Sequence, residues 1–177
     1  MNRKLVWVLL LTGLIVSGCS QGMMATQPVG PPPVITAHFV PVDNGRYLDP
    51  INVYLAAESP GGSMQRIGVQ VSQVGYGSYP TSWIYLKPEY QKKFVGYLQW
   101  NTGSSDARSM PEWTNITINI TVFDRAGNQS NSVNIPYQFV SQNFPKAPLP
   151  PPFNQGEIPR IGWIDVELVN PLQRPFR

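Results

Sequence analysis

The sequence predicts an all-β domain, an antiparallel sandwich of seven strands between two Pro-rich flanking segments. Three observations support this fold class. Residues 34–144 alternate apolar and polar side chains with a period of two. Turn residues interrupt this pattern at short intervals, and no stretch shows the 3.6-residue period of a long amphipathic helix. Strands that are apolar on one side only favour an antiparallel sandwich over a parallel sheet, whose strands are buried on both sides.

The predicted strands are short. The clearest is the sixth, in which every even-numbered residue from 116 to 122 is Ile or Val and the odd-numbered residues 115 to 121 are Asn or Thr. In the first strand, the same alternation predicts that Ile35, Ala37 and Phe39 share one face. The seven predicted strands cover residues 34–40, 51–57, 67–74, 82–86, 93–100, 115–123 and 132–139.

The turn between the last two predicted strands, residues 124–130, reads Asp-Arg-Ala-Gly-Asn-Gln-Ser. Asp124 can accept backbone N–H bonds as the turn begins, while Gly127 and Asn128 tolerate a positive φ. This pattern resembles the turn that closes the final hairpin of many bacterial immunoglobulin-like and fibronectin-III-like domains. The resemblance covers roughly residues 34 to 140 and implies an immunoglobulin-like topology. Because the paired cysteines of antibody domains are missing, the core must hold by packing alone.

The N-terminus has the organisation of a secretory signal peptide. Arg3 and Lys4 form a cationic start, and an apolar run from Leu5 to Val16 follows, broken only by a Thr-Gly pair. A membrane-spanning helix needs about 20 apolar residues, whereas this run has about a dozen and ends in small residues. The run is therefore too short to remain as an anchor by itself.

The segment Val16-Ser17-Gly18-Cys19 resembles the lipobox of bacterial lipoproteins. The resemblance implies cleavage before Cys19 and attachment of diacylglycerol to its thiol. A residue other than Asp after the cysteine, here Ser20, resembles the signal for export to the outer membrane. The alternative is a soluble secreted protein with an incidental cysteine. We therefore predict an exported protein that lipid on Cys19 tethers to the outer membrane, with the membrane face left open.

Cysteine and charge content restrict the function further. Cys19 is the only cysteine in the sequence, so no disulfide framework or multi-cysteine metal site forms within one chain. Cleavage removes two of the 13 basic residues and none of the 10 acidic ones, which leaves 11 basic residues. A nearly neutral chain without a clustered Lys/Arg face argues against nucleic-acid binding.

The prolines mark the domain boundaries, since 12 of the 19 lie outside residues 34–144. Proline-rich chain favours a stiff, extended polyproline II conformation. We predict four segments: a signal peptide at 1–18, a lipidated Pro-rich linker at 19–33, the sandwich at 34–144, and a Pro-rich spacer with a C-terminal strand at 145–177.

The C-terminal strand offers one candidate binding site. In the segment 161–170, Ile164, Val166 and Leu168 alternate with acidic residues. The strand can fold back on its own sandwich or extend the sheet edge of a partner protein by β-augmentation. Trp163 is the natural anchor in either case.

A second candidate is an aromatic group within one short segment: Tyr76, Tyr79, Trp83 and Tyr85. Exposed flat rings stack on sugars, so these residues predict a possible glycan-binding platform. The alternative is that the rings cover the edge of the sandwich core, because β-sheets favour aromatic residues.

Catalytic and metal-binding patterns are absent from the sequence. His38 is the only histidine, which leaves no Ser-His-Asp triad or histidine metal cluster. Asp124 and Asn128 could join Asp43, Asn44 or Asp106 around calcium, but turn chemistry already explains the first two. We therefore predict no cofactor, no metal and no enzymatic activity.

Together these observations predict a lipid-anchored binding or structural module, an accessory component of a cell-envelope protein assembly. The second hypothesis is a carbohydrate-binding surface lipoprotein that uses the exposed aromatic residues. An enzyme is the third, since no acid/base pair, activated nucleophile or metal set can be assembled from the motifs.

Overall fold

A computed structural model of the chain describes residues 30–41, 50–102, 114–139 and 147–170. The predicted signal peptide, Cys19 and most of the linker lie outside these residues. The described residues form two β-sheets and contain no α-helix, which confirms the predicted all-β class. A short 3₁₀ helix, Pro88–Tyr90, precedes the sixth strand. The described strands are β1 (Val34–Phe39), β2 (Ile51–Glu58), β3 (Met64–Gln73), β4 (Gly77–Ser78), β5 (Ser82–Tyr85), β6 (Lys93–Trp100), β7 (Asn115–Asp124), β8 (Val133–Gln138) and β9 (Arg160–Ile164).

The two sheets pack with their apolar faces together. The first has the order β1-β2-β6-β9, and the second has the order β4-β3-β7-β8, with β5 also paired to β3. Every pairing between these strands is antiparallel except that of β6 with β9. The described part of the chain therefore has nine strands instead of seven, because the two-residue β4 and the parallel β9 add to the predicted set.

The core lies between the sheets, and it follows the predicted alternation closely in β7. Ile116, Ile118, Ile120 and Val122 are each 2% exposed or less. Burying side chains of this size typically contributes about 1.5–3 kcal/mol each. The largest side chain in this core is that of Trp100, whose indole Nε1 donates a 2.8 Å hydrogen bond to the carbonyl of Val166.

The predicted face assignment in β1 is wrong. Ile35 opposes Ala57 and packs in the central core, whereas Ala37 and Phe39 pack on the outer side of the first sheet. A bulge between Ile35 and Ala37 inserts one unpaired residue, Thr36. Because side chains alternate with a period of two, one inserted residue moves every following side chain to the other face.

The Pro-rich segment predicted to be a spacer lies instead against the outer face of the first sheet. Phe153, which is 1% exposed, packs with Tyr54 and Ala56, and Leu149 and Ile158 extend this second apolar cluster. The centroids of the Phe153 and Tyr54 rings are 5.6 Å apart. The middle of the first sheet is therefore covered on both faces, and the chain continues directly from this cover into β9.

Glycines allow β9 to approach its neighbours closely. A Cβ atom at Gly162 would lie 2.4 Å from Cγ2 of Ile84 in β5, and one at Gly96 would lie 2.4 Å from Cγ1 of Ile161. Such contacts leave no room for a side chain, so only glycine fits. The edge strand of the first sheet, β9, is thereby brought against the edge strand of the second, β5.

Candidate binding surface

The structure places three of the four candidate residues of the C-terminal strand inside the domain. Ile164, Val166 and Leu168 are 4%, 7% and 0% exposed and belong to the central core. Their predicted use as partner-binding residues is therefore corrected: the strand folds back on its own sandwich. Trp163 is different, because it is 47% exposed.

Two of the four residues of the predicted glycan platform also have structural roles. Tyr79 is 5% exposed, accepts a 2.9 Å hydrogen bond from the backbone N–H of Val169 and donates a short one to Oε1 of Gln73. Tyr76 is half-buried and stacks on Tyr79, with ring centroids 4.4 Å apart. Tyr79, with Tyr76 stacked on it, therefore holds the segment after β9 in place and is not an exposed ring.

The other two predicted residues, Trp83 and Tyr85, are exposed on β5, by 44% and 66%. The Trp83 ring is held on several sides. The guanidinium carbon of Arg66 lies 4.3 Å from its centroid, and the Phe123 ring meets it edge-on at 5.3 Å. A Cβ atom at Gly68 would lie 3.0 Å from its Cζ3. Trp83 is therefore a fixed, partly exposed ring.

An equivalent pair lies on β9. The guanidinium carbon of Arg160 is 4.2 Å from the Trp163 ring centroid, and its Nη1 donates a 3.1 Å hydrogen bond to Oε1 of Gln99. Cation–π contacts of this kind contribute about 0.5–1 kcal/mol at exposed positions. The neighbouring edges of the two sheets thus each carry an exposed tryptophan stacked by an arginine.

The chain after β9 separates the two tryptophans and carries two exposed carboxylates. The backbone N–H of Asp165 donates a 2.9 Å hydrogen bond to Oγ of Ser82, which fixes this segment against β5. An open groove of about 580 Å³ lies on the Trp163 side and one of about 500 Å³ on the Trp83 side. Asp165 and Glu167 line both grooves. We call the surface formed by the following residues the seam surface: Arg66, Trp83, Tyr85, Arg160, Trp163, Asp165 and Glu167.

Sequence reasoning found the aromatic half of the seam surface and missed the charged half. Arg66 lies 17 positions before Trp83 in the chain and approaches it because β3 and β5 pair, with Gly68 opposite Trp83. Only the pairing of the strands could show this contact. The Arg160–Trp163 pair had a local signal, the short spacing of the two residues, which was not used.

The turn at Asp124 follows its prediction. Its carboxylate accepts 2.8 Å hydrogen bonds from the backbone N–H and from Nδ2 of Asn128, and Gly127 has φ of 88°. Turn chemistry thus occupies both carboxylate oxygens. The proposed calcium partners Asp43, Asn44 and Asp106 lie outside the described residues.

His38 is exposed on β1. In the described parts of the chain, no three His, Cys, Asp or Glu side chains cluster closely enough to hold a metal ion. No helix among those same residues is long and apolar enough to span a membrane.

Comparisons with known proteins found no similar protein. No model of a protein family matches the chain. No curated protein and no solved structure is significantly similar to it. The function must therefore be argued from the chemistry of the seam surface.

Proposed function

We propose that this protein is a non-enzymatic, lipid-anchored module of the bacterial cell envelope that binds another envelope protein through the seam surface. One observation carries the proposal. Two exposed tryptophans, each stacked by an arginine, flank two carboxylates where the edges of the two sheets meet.

The residue types favour a protein as the partner. Tryptophan, tyrosine and arginine are the residues enriched at the centres of protein interfaces. The arginine stacking and the neighbouring strands already restrict Trp83 and Trp163, so binding would cost little side-chain entropy. Asp165 and Glu167 add charges that can fix the orientation of a complementary partner.

We also propose that the sandwich is immunoglobulin-like. Its sheets contain β1-β2-β6 and β5-β3-β7-β8, which match the A-B-E and C′-C-F-G strand groups of that fold. In this scheme β9 is an addition beside the E-equivalent strand. A fold of this kind hosts many unrelated functions, so it supports the architecture and not the choice of partner.

Glycan binding is the second candidate, favoured by the exposure of Trp83 and Tyr85 on one face of β5. A sugar ring would stack on the flat face of an aromatic side chain. However, the Arg66 guanidinium lies over the Trp83 ring, and Arg160 lies over the Trp163 ring. These contacts compete with a sugar for the ring faces, whereas they fit a protein interface.

We expect Trp83→Ala and Trp163→Ala each to weaken capture of the partner by about 30-fold, the loss that corresponds to about 2 kcal/mol at an interface hot spot. The measurement is affinity capture of the acylated protein from detergent-solubilised membranes, with folding checked by circular dichroism. Val74→Ala is the matched control, since Val74 is 72% exposed but lies outside the seam surface. Recovery of the wild-type protein without a stoichiometric partner would contradict the proposal.

A glycan array separates the two candidates. Under the protein-binding proposal, the wild-type domain binds no glycan more strongly than Trp83→Ala does. Glycan binding that disappears in Trp83→Ala, with the fold intact, would favour the second candidate.

The anchor has its own test. Cys19→Ser should move the protein from the membrane fraction to the soluble fraction, because a serine cannot carry the thioether-linked lipid. Several acyl chains make such a tether durable, since each buried methylene contributes about 0.8 kcal/mol. Membrane and soluble fractions are compared by immunoblot after a high-salt wash. Ser20→Asp is the control, because it keeps the cysteine and should stay membrane-bound while being retained in the inner membrane. A Cys19→Ser variant that resists the wash would disprove the anchor.

A further inference from the structure

Four cations that are scattered in the sequence meet at one end of the sandwich. The backbone N–H of Ser59 donates a 2.8 Å hydrogen bond to the carbonyl of Lys92, and that of Arg125 donates a 3.0 Å bond to Ser63. These bonds join the β2–β3 turn to the segment before β6 and to the β7–β8 turn. We call this end, with its exposed residues Lys87, Lys92, Lys93 and Arg125, the basic end.

The acids near the basic end neutralise it only in part. Glu58 forms a 3.3 Å ion pair with Lys93. Asp124 is 4% exposed and has both carboxylate oxygens bonded to Asn128. Glu89 is the acid on the neighbouring 3₁₀ helix, and Glu157 is exposed in the segment that leads to β9. Cations are therefore in excess over exposed carboxylates at this end.

At the opposite end, the described residues carry the opposite charge. Ile51 and Trp100 oppose each other there, as Glu58 and Lys93 do at the basic end. The described segments at the opposite end, 74–82, 101–102 and 165–170, contain two acids and no Lys or Arg. Among the described residues, the charge separation thus follows the long axis of the strands.

The chain enters the domain at the basic end. Val34, the first residue of β1, opposes Glu58, the last residue of β2. Fourteen residues separate Cys19 from Val34. Even when it is fully extended as polyproline II, at about 3.1 Å per residue, a chain of this length spans only about 43 Å. A lipid on Cys19 would therefore keep the basic end within a short distance of the membrane.

We propose that the basic end binds the anionic phospholipid headgroups of the membrane that holds the protein. Ammonium and guanidinium groups attract lipid phosphates, and each Lys or Arg close to an anionic surface strengthens the attraction about 5-fold. The affinity of the basic end for the headgroups can be weak, because a short tether keeps the effective concentration of the domain at the membrane in the millimolar range. The domain would then stand with Asp165 and Glu167 pointing away from the bilayer. This orientation rests on the proposed anchor at Cys19, whereas the lipid-binding property of the basic end does not.

The test uses the mature chain, residues 19–177, with Cys19→Ser, so that no acyl chain contributes to binding. Its sedimentation with vesicles containing about one third phosphatidylglycerol is compared with that on pure phosphatidylcholine. We expect binding only to the anionic vesicles, and Lys87→Gln combined with Lys92→Gln should weaken it about 25-fold. Binding should also fall steeply as salt is raised, because surface charges are screened.

Two controls make the result specific. Lys87→Arg combined with Lys92→Arg keeps the charge and should keep the binding. Val74→Lys adds a cation at the opposite end and should leave it unchanged. Equal binding to both vesicle types, or an increase of about 5-fold with Val74→Lys, the effect of one cation at the basic end, would overturn the inference. The anchor is tested separately, by mass spectrometry of the acyl groups on Cys19 in protein purified from cells. The proposed anchor and the proposed lipid binding can therefore fail independently.

Discussion

Deletion of residues 153–177 is expected to unfold the domain, even though the deleted segment follows the last strand of the antiparallel sandwich. The deletion removes five buried apolar side chains: Phe153, Ile161, Ile164, Val166 and Leu168. Truncating one such side chain to alanine commonly costs about 2–5 kcal/mol for the larger residues. A domain of this size is usually stable by only about 5–15 kcal/mol. The combined loss therefore matches or exceeds the whole stability.

Thermal unfolding followed by circular dichroism measures this effect. The full chain should give a cooperative transition, and the deleted chain should give none. Trp163→Ala, in the same segment, is the control and should change the free energy of unfolding only slightly, because Trp163 is 47% exposed. A deleted chain that unfolds cooperatively near the wild-type midpoint would show that β9 is dispensable.

The second large effect is expected from Phe153→Ala, which should lower the free energy of unfolding by about 3–5 kcal/mol. Phe153 is 1% exposed and packs on Tyr54 and Ala56 at the outer face of the first sheet. The substitution would leave a cavity that the neighbouring strands cannot fill, since hydrogen bonds fix their positions.

Urea unfolding of Phe153→Ala and Phe153→Leu gives the measurement. Leucine retains most of the apolar contact, so the second variant should lose considerably less stability than the first. A loose spacer would behave as an ordinary surface segment, where substitutions change stability by about 0.5 kcal/mol or less. A Phe153→Ala value in that range would contradict the packing of the Pro-rich segment on the sheet.

This packing changes how the protein can bind a partner. β9 and the segment after it supply the core residues Ile164, Val166 and Leu168, so these side chains are not available for β-augmentation of another sheet. The surface where β5 and β9 meet remains exposed, with Trp83 on one strand and Trp163 on the other. The proposed interface is therefore a rigid surface built on strands, which suits a constitutive partner better than a tail that folds on binding.

Local pattern predicted a large part of the fold. Alternation alone identified β7 and its inward side chains, because a strand that is buried on one face must repeat every two residues. The turn from Asp124 to Asn128 was also predictable, since its hydrogen bonds join residues four positions apart. The lipobox at Cys19 depends only on neighbouring residues, and it stays a prediction.

The candidate site could be predicted only in part. Trp83 and Trp163 were recognisable as aromatic residues in strands, but burial separates them from Tyr79, which the same reasoning grouped with Trp83. Tyr79 is buried because the segment after β9 lies against it. The backbone N–H of Val169, 90 positions away in the chain, donates a hydrogen bond to the Tyr79 hydroxyl. No local pattern reports such a contact.

Short-range patterns in the sequence predict the period-two strands, the closing turn and the anchor, because each depends on residues that are close in the chain. Three features became visible only in the folded chain: the bulge at Thr36, the cover formed by Phe153 and the contact of β5 with β9. These features depend on the register between strands that are distant in sequence, and a shift of one residue would exchange their buried and exposed faces. The seam surface belongs to this second group, since two sheets contribute its tryptophans and only their packing brings them together.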